Sequence, residues 1–264
     1  MLKRLRKSKK QNSENIAKLS GIMKDVVSNA VRKQQIETMK LPKEVDEISR
    51  NITFWGYSII KAEYEMNQYY EIVSGNYEPG KEKTEICSFV KELYERAFPF
   101  LSKKGIKQSV VLPQEKIFAE IDIEKFSYAF FGLLLNAAEA VQAKGSVKIK
   151  VSSTKKFVKI AITDNGVGMN EETLLHCKEP FFSNKTEKDR KRIGLGLTIA
   201  GFCIEASGGR LGVSSKPEKG TTVSVLLPFA EKSEGGLAVE NIAAKFFDEK
   251  LLPEQVVFFG IEEE

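Results

Sequence analysis

The sequence is poor in the residues from which most small catalytic and metal sites are built. Its 264 residues include one histidine, His176, three cysteines (Cys87, Cys177 and Cys203) and one tryptophan. Cysteines so few and so far apart supply neither a disulfide framework nor a zinc site, and a reducing, cytoplasmic location is expected. No uncharged apolar run approaches the ~18 residues of a membrane-spanning helix. The basic start, MLKRLRKSKKQ, is not followed by the apolar stretch of a secretory signal. What is present is a chain 42% hydrophobic and 29% charged, which excludes collagen-like and fully disordered classes. It suffices for one domain of ~150 residues with something smaller beside it.

The net charge of +5 is polarised along the chain. Residues 1–10 carry six Lys/Arg and no acid, whereas residues 231–264 carry nine Asp/Glu against three Lys. A basic arm at 1–11 can make peripheral contact with an anionic membrane face or simply stay solvated, and both readings stand. No groove-reading motif accompanies it, so sequence-specific nucleic-acid binding is not expected.

Apolar residues at Val45, Ile48, Ile52, Trp55, Ile59, Ala62, Met66, Tyr69 and Val73 follow a 3-4-3-4 spacing. That is an a/d seam, which buries itself against other helices. Ile16, Leu19, Met23, Val26 and Ala30 repeat it upstream, and Pro42 between the two reads as a break or a first helical turn. Residues 12–76 are thus expected to form an antiparallel helical hairpin. One hairpin cannot cover its own stripe, so a homodimeric four-helix bundle through residues 16–73 is expected, with packing on the rest of the chain as the alternative.

Ser74–Gly80 reads as a connector. Beyond it an amphipathic helix is expected through Ile86–Ala97, strands at Val110–Leu112 and Ile117–Ile121, and a helix over Phe126–Val141. A hairpin is expected around Thr154–Lys156, then a helix over Leu195–Ala206 and strands at Arg210–Ser214 and Thr222–Leu227. Helices mixed with antiparallel hairpins define an α+β class. An extension over 231–264 is expected to add an amphipathic helix, with Val239, Ile242, Ala243, Phe246 and Phe247 on one side.

Four segments carry chemistry. Asn136 and Glu139 sit on one face of an apolar helix, where an amide oxygen suits Mg²⁺. Asp164-Asn165-Gly166-Val167-Gly168 follows a strand; the carboxylate can accept from an exocyclic amine, although Asp-Asn-Gly is also ordinary turn chemistry. Gly194-Leu195-Gly196-Leu197 opens a helix, whose free N–H groups bind phosphate. Lys219-Gly220-Thr221-Thr222 turns into a strand, where a hydroxyl can hold a water beside a base.

In this order and spacing the four segments resemble the N, G1, G2 and G3 boxes of the histidine-kinase-type ATPase superfamily, which includes sensor histidine kinases, DNA gyrase B and Hsp90. Glu179-Pro180-Phe181-Phe182 is similar to the F box of the histidine-kinase ATP lid. The resemblance implies a Bergerat-type α/β sandwich at 82–230 that binds ATP and Mg²⁺. It implies Asp164 on the adenine amine with Thr222 helping through water, and Asn136 on Mg²⁺ with Glu139 beside it. It further implies Gly166, Gly168, Gly194, Leu195, Gly196 and Leu197 around the phosphates and the lid ends, Phe181 and Phe182 as lid anchors, and Lys185 or Arg192 on the triphosphate. A response regulator or a partner kinase is the implied partner.

Two departures bear on activity. The family's phosphoacceptor is a histidine in the first hairpin helix, and residues 1–75 contain none. The serine in that neighbourhood, Ser20, is a far weaker nucleophile without a positioned base, and His176 reads as a lid surface residue. Gly132 stands where hydrolysing relatives carry a catalytic carboxylate, and Arg192 replaces the first glycine of the usual run. The expected function is therefore transfer of the ATP γ-phosphoryl group to a protein acceptor, or, alternatively, non-catalytic ATP sensing that regulates a partner.

Overall fold

The computed structural model describes residues 58–230 apart from 60, 143 and 184–192. The chain divides into two compact units, 1–75 and 76–264. In the first, residues 61–73 are helical, and the Ser74 and Gly75 N–H groups close the last turn on the carbonyls of Tyr70 and Ile72. The remainder of the expected hairpin, the basic arm and the extension at 231–264 lie outside the described residues.

The second unit is α+β. Strand β1 (Lys81–Glu85) leads into helix α1 (Ile86–Lys103), followed by β2 (Lys107–Val111), β3 (Phe118–Asp122) and α2 (Ile123–Ala140). The hairpin β4 (Ser146–Ser153) and β5 (Phe157–Asp164) precedes a short α3 (Glu171–His176), then α4 (Gly196–Ala206), β6 (Arg210–Lys216) and β7 (Gly220–Pro228). β1 and β3 form an antiparallel pair, with Glu85 opposite Phe118. The five-stranded sheet runs β2-β4-β5-β7-β6, and its β2–β4 pair alone is parallel.

Period-two patterning assigns the faces of this sheet. Val147, Ile149, Val151, Val158, Ile160, Ile162, Val225 and Leu227 are buried on one face, which α1, α2 and α4 cover. Phe130, Phe131, Leu134 and Leu135 of α2 are fully buried between the layers, each worth roughly 1.5–3 kcal/mol of apolar burial. The turn between β4 and β5 falls where the sequence places it: Thr154 Oγ1 accepts from the N–H groups of Lys156 and Phe157.

Three features differ from expectation. β1, Lys-Glu-Lys-Thr-Glu, has no apolar residue to alternate, yet Thr84 and Glu85 are buried. Glu85 caps α1: its Oε2 accepts from Ser88 N–H at 2.8 Å, and its Oε1 from Cys87 at 3.0 Å and Ile117 at 3.2 Å. Burial works against its charge, but these bonds prevail and hold the carboxyl below its ordinary value. Burial, with the Glu85 charge next, pushes the Cys87 thiol up to about 12. Second, α1 continues through Pro99 to Lys103 instead of ending near Ala97. Third, α3 occupies the polar stretch for which no element was expected; Asn170 Oδ1 caps it by accepting from Thr173 N–H at 2.8 Å.

Candidate functional site

The loop after β5 is the hub of the site. Asp164 ends the strand on the helix-covered face and is 6% exposed. Its Oδ1 accepts from the N–H of Gly166 at 2.9 Å and of Thr221 at 3.2 Å, which leaves Oδ2 as the oxygen for a ligand. Burial raises the carboxyl above its ordinary value, and the two backbone bonds oppose that rise.

On one side the loop is joined to α2, because Val167 N–H donates to the Ala140 carbonyl at 3.0 Å. The approach is close enough that a Cβ on Gly166 would stand 2.2 Å from the same oxygen. Asn136 and Glu139 lie within the last turns of that helix, Asn136 about 6 Å along the axis from Ala140 at 1.5 Å per residue. Asn136 is the exposed residue in an otherwise buried run from Leu133 to Ala138. On the other side, the β6–β7 turn braces the loop. Glu218 N–H donates to the Val167 carbonyl at 2.8 Å, and Met169 N–H to Ser215 Oγ at 2.9 Å. Gly220, at φ +83°, has its Cβ position 2.0 Å from the Asp164 carbonyl, so only glycine fits there.

The structure separates Thr222 from Asp164. Thr222 is opposite Thr163 in the β5–β7 register, and the two hydroxyls are 3.0 Å apart on the uncovered face. Thr221, one residue earlier, occupies the position beside Asp164. Its N–H bonds the carboxylate, and its Oγ1 is 2.8 Å from Ser215 Oγ. The parity of the strand carried the signal: Thr221 is in phase with buried Val225 and Leu227, Thr222 is not.

The expected phosphate end is built around α4. Leu195 is its N-cap and no side chain caps it. The Leu195 side chain itself is fully buried, so it packs in the core, and Gly196 and Leu197 present the helix start. Phe181 N–H donates to the Gly194 carbonyl at 3.1 Å, and Thr198 Oγ1 to the Lys178 carbonyl at 3.0 Å. These bonds draw the two flanks of residues 184–192 together. Phe181, at φ +64°, is 55% exposed, and Phe182 is half-buried with its ring 5.8 Å from that of His176. His176 ends α3, and its Nδ1 lies 2.8 Å from Glu179 Oε1. Gly168 lies in the braced loop, and a Cβ there would stand 2.0 Å from the Lys216 carbonyl. Lys185 and Arg192 are outside the described residues. No group of three His, Cys, Asp or Glu side chains that could hold a metal occurs among the described residues. Any Mg²⁺ here would rely on Asn136 and on oxygens of the nucleotide, which fits a hard cation that keeps few protein ligands.

A buried carboxylate at the end of a central strand, a flanking helix with an exposed amide and an uncapped helix start are the candidate ligand groups of this α+β sandwich. Residues 121–231 match the family described as histidine kinase-, DNA gyrase B- and HSP90-like ATPase. The chain is 32% identical over 150 residues to sporulation kinase B of Bacillus subtilis, which spans 56% of this chain and 34% of that protein. It is 29% identical over 178 residues to the sensor protein KdpD of Clostridium acetobutylicum, 67% of this chain and 19% of that one. Sensor histidine kinase WalK of Bacillus subtilis matches at 27% identity, over 61% of this chain and 27% of that protein. The chain therefore spans about a third or less of these three relatives. Among solved structures, full-length ShkA in complex with AMPPNP shares the fold at a TM-score of 0.68 and 20% identity, covering 84% of this chain and 47% of that one. The Acinetobacter baumannii histidine kinase AdeS does so at 0.56 and 15%, covering 79% and 96%. Residues 121–231 are thus similar to the ATP-binding core of that family, and the fold agrees. Among the described residues no helix is long and apolar enough to cross a membrane.

Proposed function

We propose that this protein binds ATP with Mg²⁺ and transfers the γ-phosphoryl group to a protein acceptor in a two-component-type pathway, with a response regulator or partner kinase as its counterpart. The observation that carries the proposal is Asp164, a buried carboxylate whose Oδ1 is fixed by two backbone N–H groups and whose Oδ2 is left for a ligand amine. In this reading Asp164 orients the adenine, with Thr221 and Ser215 fixing the polar floor beside it. Asn136 would hold Mg²⁺, which supplies charge neutralisation on the phosphates. The N–H groups at Gly196 and Leu197 would receive phosphate oxygens at the helix start. Transfer then needs little more than positioning and neutral charge balance: the acceptor attacks the γ-phosphorus and ADP leaves.

A second reading, an ATP-sensing dimer without transferase activity, is favoured by the acceptor. Residues 1–75 lack histidine, and His176 is paired with Glu179 outside the hairpin. The Cβ position of Gly132 opens on empty space, with no atom within 4 Å, where a carboxylate would fit and none stands. Either reading draws on a homodimer through 16–73. Ile59, Met66 and Val73 are 50%, 47% and 58% exposed, and their heptad spacing is that of a seam awaiting a partner helix.

The test is incubation of the purified chain with Mg²⁺ and γ-labelled ATP, alone and with candidate partners bearing an acceptor histidine. Acid-labile label on the partner supports the first reading. ATP binding with no label on any protein supports the second. Loss of neither binding nor labelling in Asp164→Asn overturns the site assignment itself.

A further inference from the structure

Among the described residues no helix covers one face of the five-stranded sheet, and the charge of that face is of one sign. Six cations lie in its strands: Lys107 of β2, Lys148 and Lys150 of β4, Lys159 of β5, and Arg210 and Lys216 of β6. All six are exposed. The same strands contain one acid, Asp164, which points to the helix-covered face. Among the described residues none of the six makes an ion pair; the bridges present involve other side chains.

The register sets out the pattern. Ser109, Lys148, Thr163, Thr222 and Ser214 form one row across the strands, and Val111, Lys150, Ala161, Ser224 and Gly212 the next. Ser152, Lys159, Leu226 and Arg210 form a third, and Phe157 faces Pro228 at the end. The centre is thus lined by short side chains. At 4.7–4.9 Å between strands, the cations are spread over about 19 Å. Val111 and Phe157, on the same face, are 42% and 45% exposed, and Lys155 and Lys156 lie in the turn that leads to Phe157.

We propose that this uncovered sheet face is a docking surface for an anionic lipid bilayer, with the six cations against the headgroups and Phe157 entering the interface at one end. Charge complementarity carries the choice of partner. A bilayer surface is extended and negative, so it meets well-separated cations at once without needing a groove. A protein interface calls for a central buried anchor, and here the centre is Thr163, Thr222, Ser224 and Ala161. Single-stranded nucleic acid calls for stacked aromatics along its track, and the face has one aromatic at its edge. The docking surface lies opposite Asp164, so binding there leaves the nucleotide site open. The proposal does not depend on the phosphoryl-transfer reading.

The experiment is co-sedimentation of the full chain with vesicles of phosphatidylglycerol and phosphatidylcholine, and with phosphatidylcholine alone, at low and physiological salt. Binding to the anionic vesicles only is expected, weakened by salt. It should fall at least tenfold in a Lys148→Glu/Lys150→Glu/Lys159→Glu variant whose ATP affinity and melting temperature match the parent. Phe157→Ser should weaken it several-fold, whereas replacing the Lys and Arg residues of segment 1–10 should leave the sheet-dependent part. Equal binding by the triple variant, binding lost wholly with segment 1–10, or a face that retains duplex DNA or an acidic peptide but not vesicles would each overturn it.

Discussion

Asp164 links one side chain to both stability and binding. Burial raises its carboxyl above the ~3.9 of an unfolded aspartate, so the folded chain holds the proton more tightly than the unfolded one. The sign follows: ionisation costs the folded state above the raised value, and that cost disappears as pH falls below the unfolded value. A ligand amine needs the ionised form. ATP affinity is therefore expected to fall on acidification at a pH above that of an ordinary aspartate, and calorimetric titration from pH 7 downward checks it. Asp164→Asn keeps an oxygen for the two backbone N–H groups but puts an amide NH2, a donor, where Oδ2 would accept. It should weaken ATP by about 10–100-fold, from 1.5–3 kcal/mol for a charge-assisted bond, while the melting temperature at pH 7 without ligand does not drop. The threonines give a sharper discrimination. Thr221→Val removes the hydroxyl that bonds Ser215 and should weaken ATP several-fold, whereas Thr222→Val, on the other face, should leave affinity within twofold. The sequence by itself offered a threonine hydroxyl without choosing between Thr221 and Thr222, and it was the family resemblance that implied Thr222. Counting in twos back from Leu227 decides it.

Elements with an apolar period were legible before any coordinates. The β4–β5 hairpin, α2 and α4 were each read to within a few residues, because Val147/Ile149/Val151, the Phe130–Leu135 run and Ile199/Ala200/Cys203 declare a buried face. β1 was invisible because its fit comes from partners distant in sequence. Lys81–Glu85 pairs with β3, and the Glu85 carboxylate collects Ile117 N–H from 32 residues away. α3 was hidden by shortness, although Asn170 followed by Glu171 and Glu172 is a start signal that could have exposed it. Glu85 is where this matters energetically. Glu85→Ala removes the α1 cap and strands a buried Ile117 N–H, costing roughly 1.5–5 kcal/mol from a cap of 0.5–2 and an orphan donor of 1–3. The native carboxyl lies below its ordinary value, so its stabilisation is full above the unfolded ~4.3 and is lost as pH falls through the folded value. Urea denaturation at pH 7 should show the whole deficit, and the gap between variant and parent should narrow as pH approaches 3.

For the molecule as a whole, the sequence separated a helical seam from a nucleotide core, and the described part of the seam adds a physical reason to look for a partner helix. Ile59, Met66 and Val73 occupy one heptad position and are each about half exposed. Three such side chains in a row along a helix leave apolar surface in water, and burial at about 25 cal/mol per Å² drives it against a complementary seam. Glu65 and Gln68, by contrast, are buried on the same helix, so its polar and apolar positions are inverted relative to a helix that only needs to cover its own unit. A second copy supplies the missing seam without any further sequence, since two hairpins close a four-helix bundle. Sedimentation equilibrium of the full chain should give a dimer. Met66→Lys alone should weaken it at least tenfold, because one buried charge in a seam costs more than the contact it removes, while ATP affinity, set within residues 76–230, stays within twofold. A chain that sediments as a monomer at tens of micromolar, with Met66→Lys indistinguishable from it, would assign the exposed seam to some other helix and remove the dimer from the mechanism.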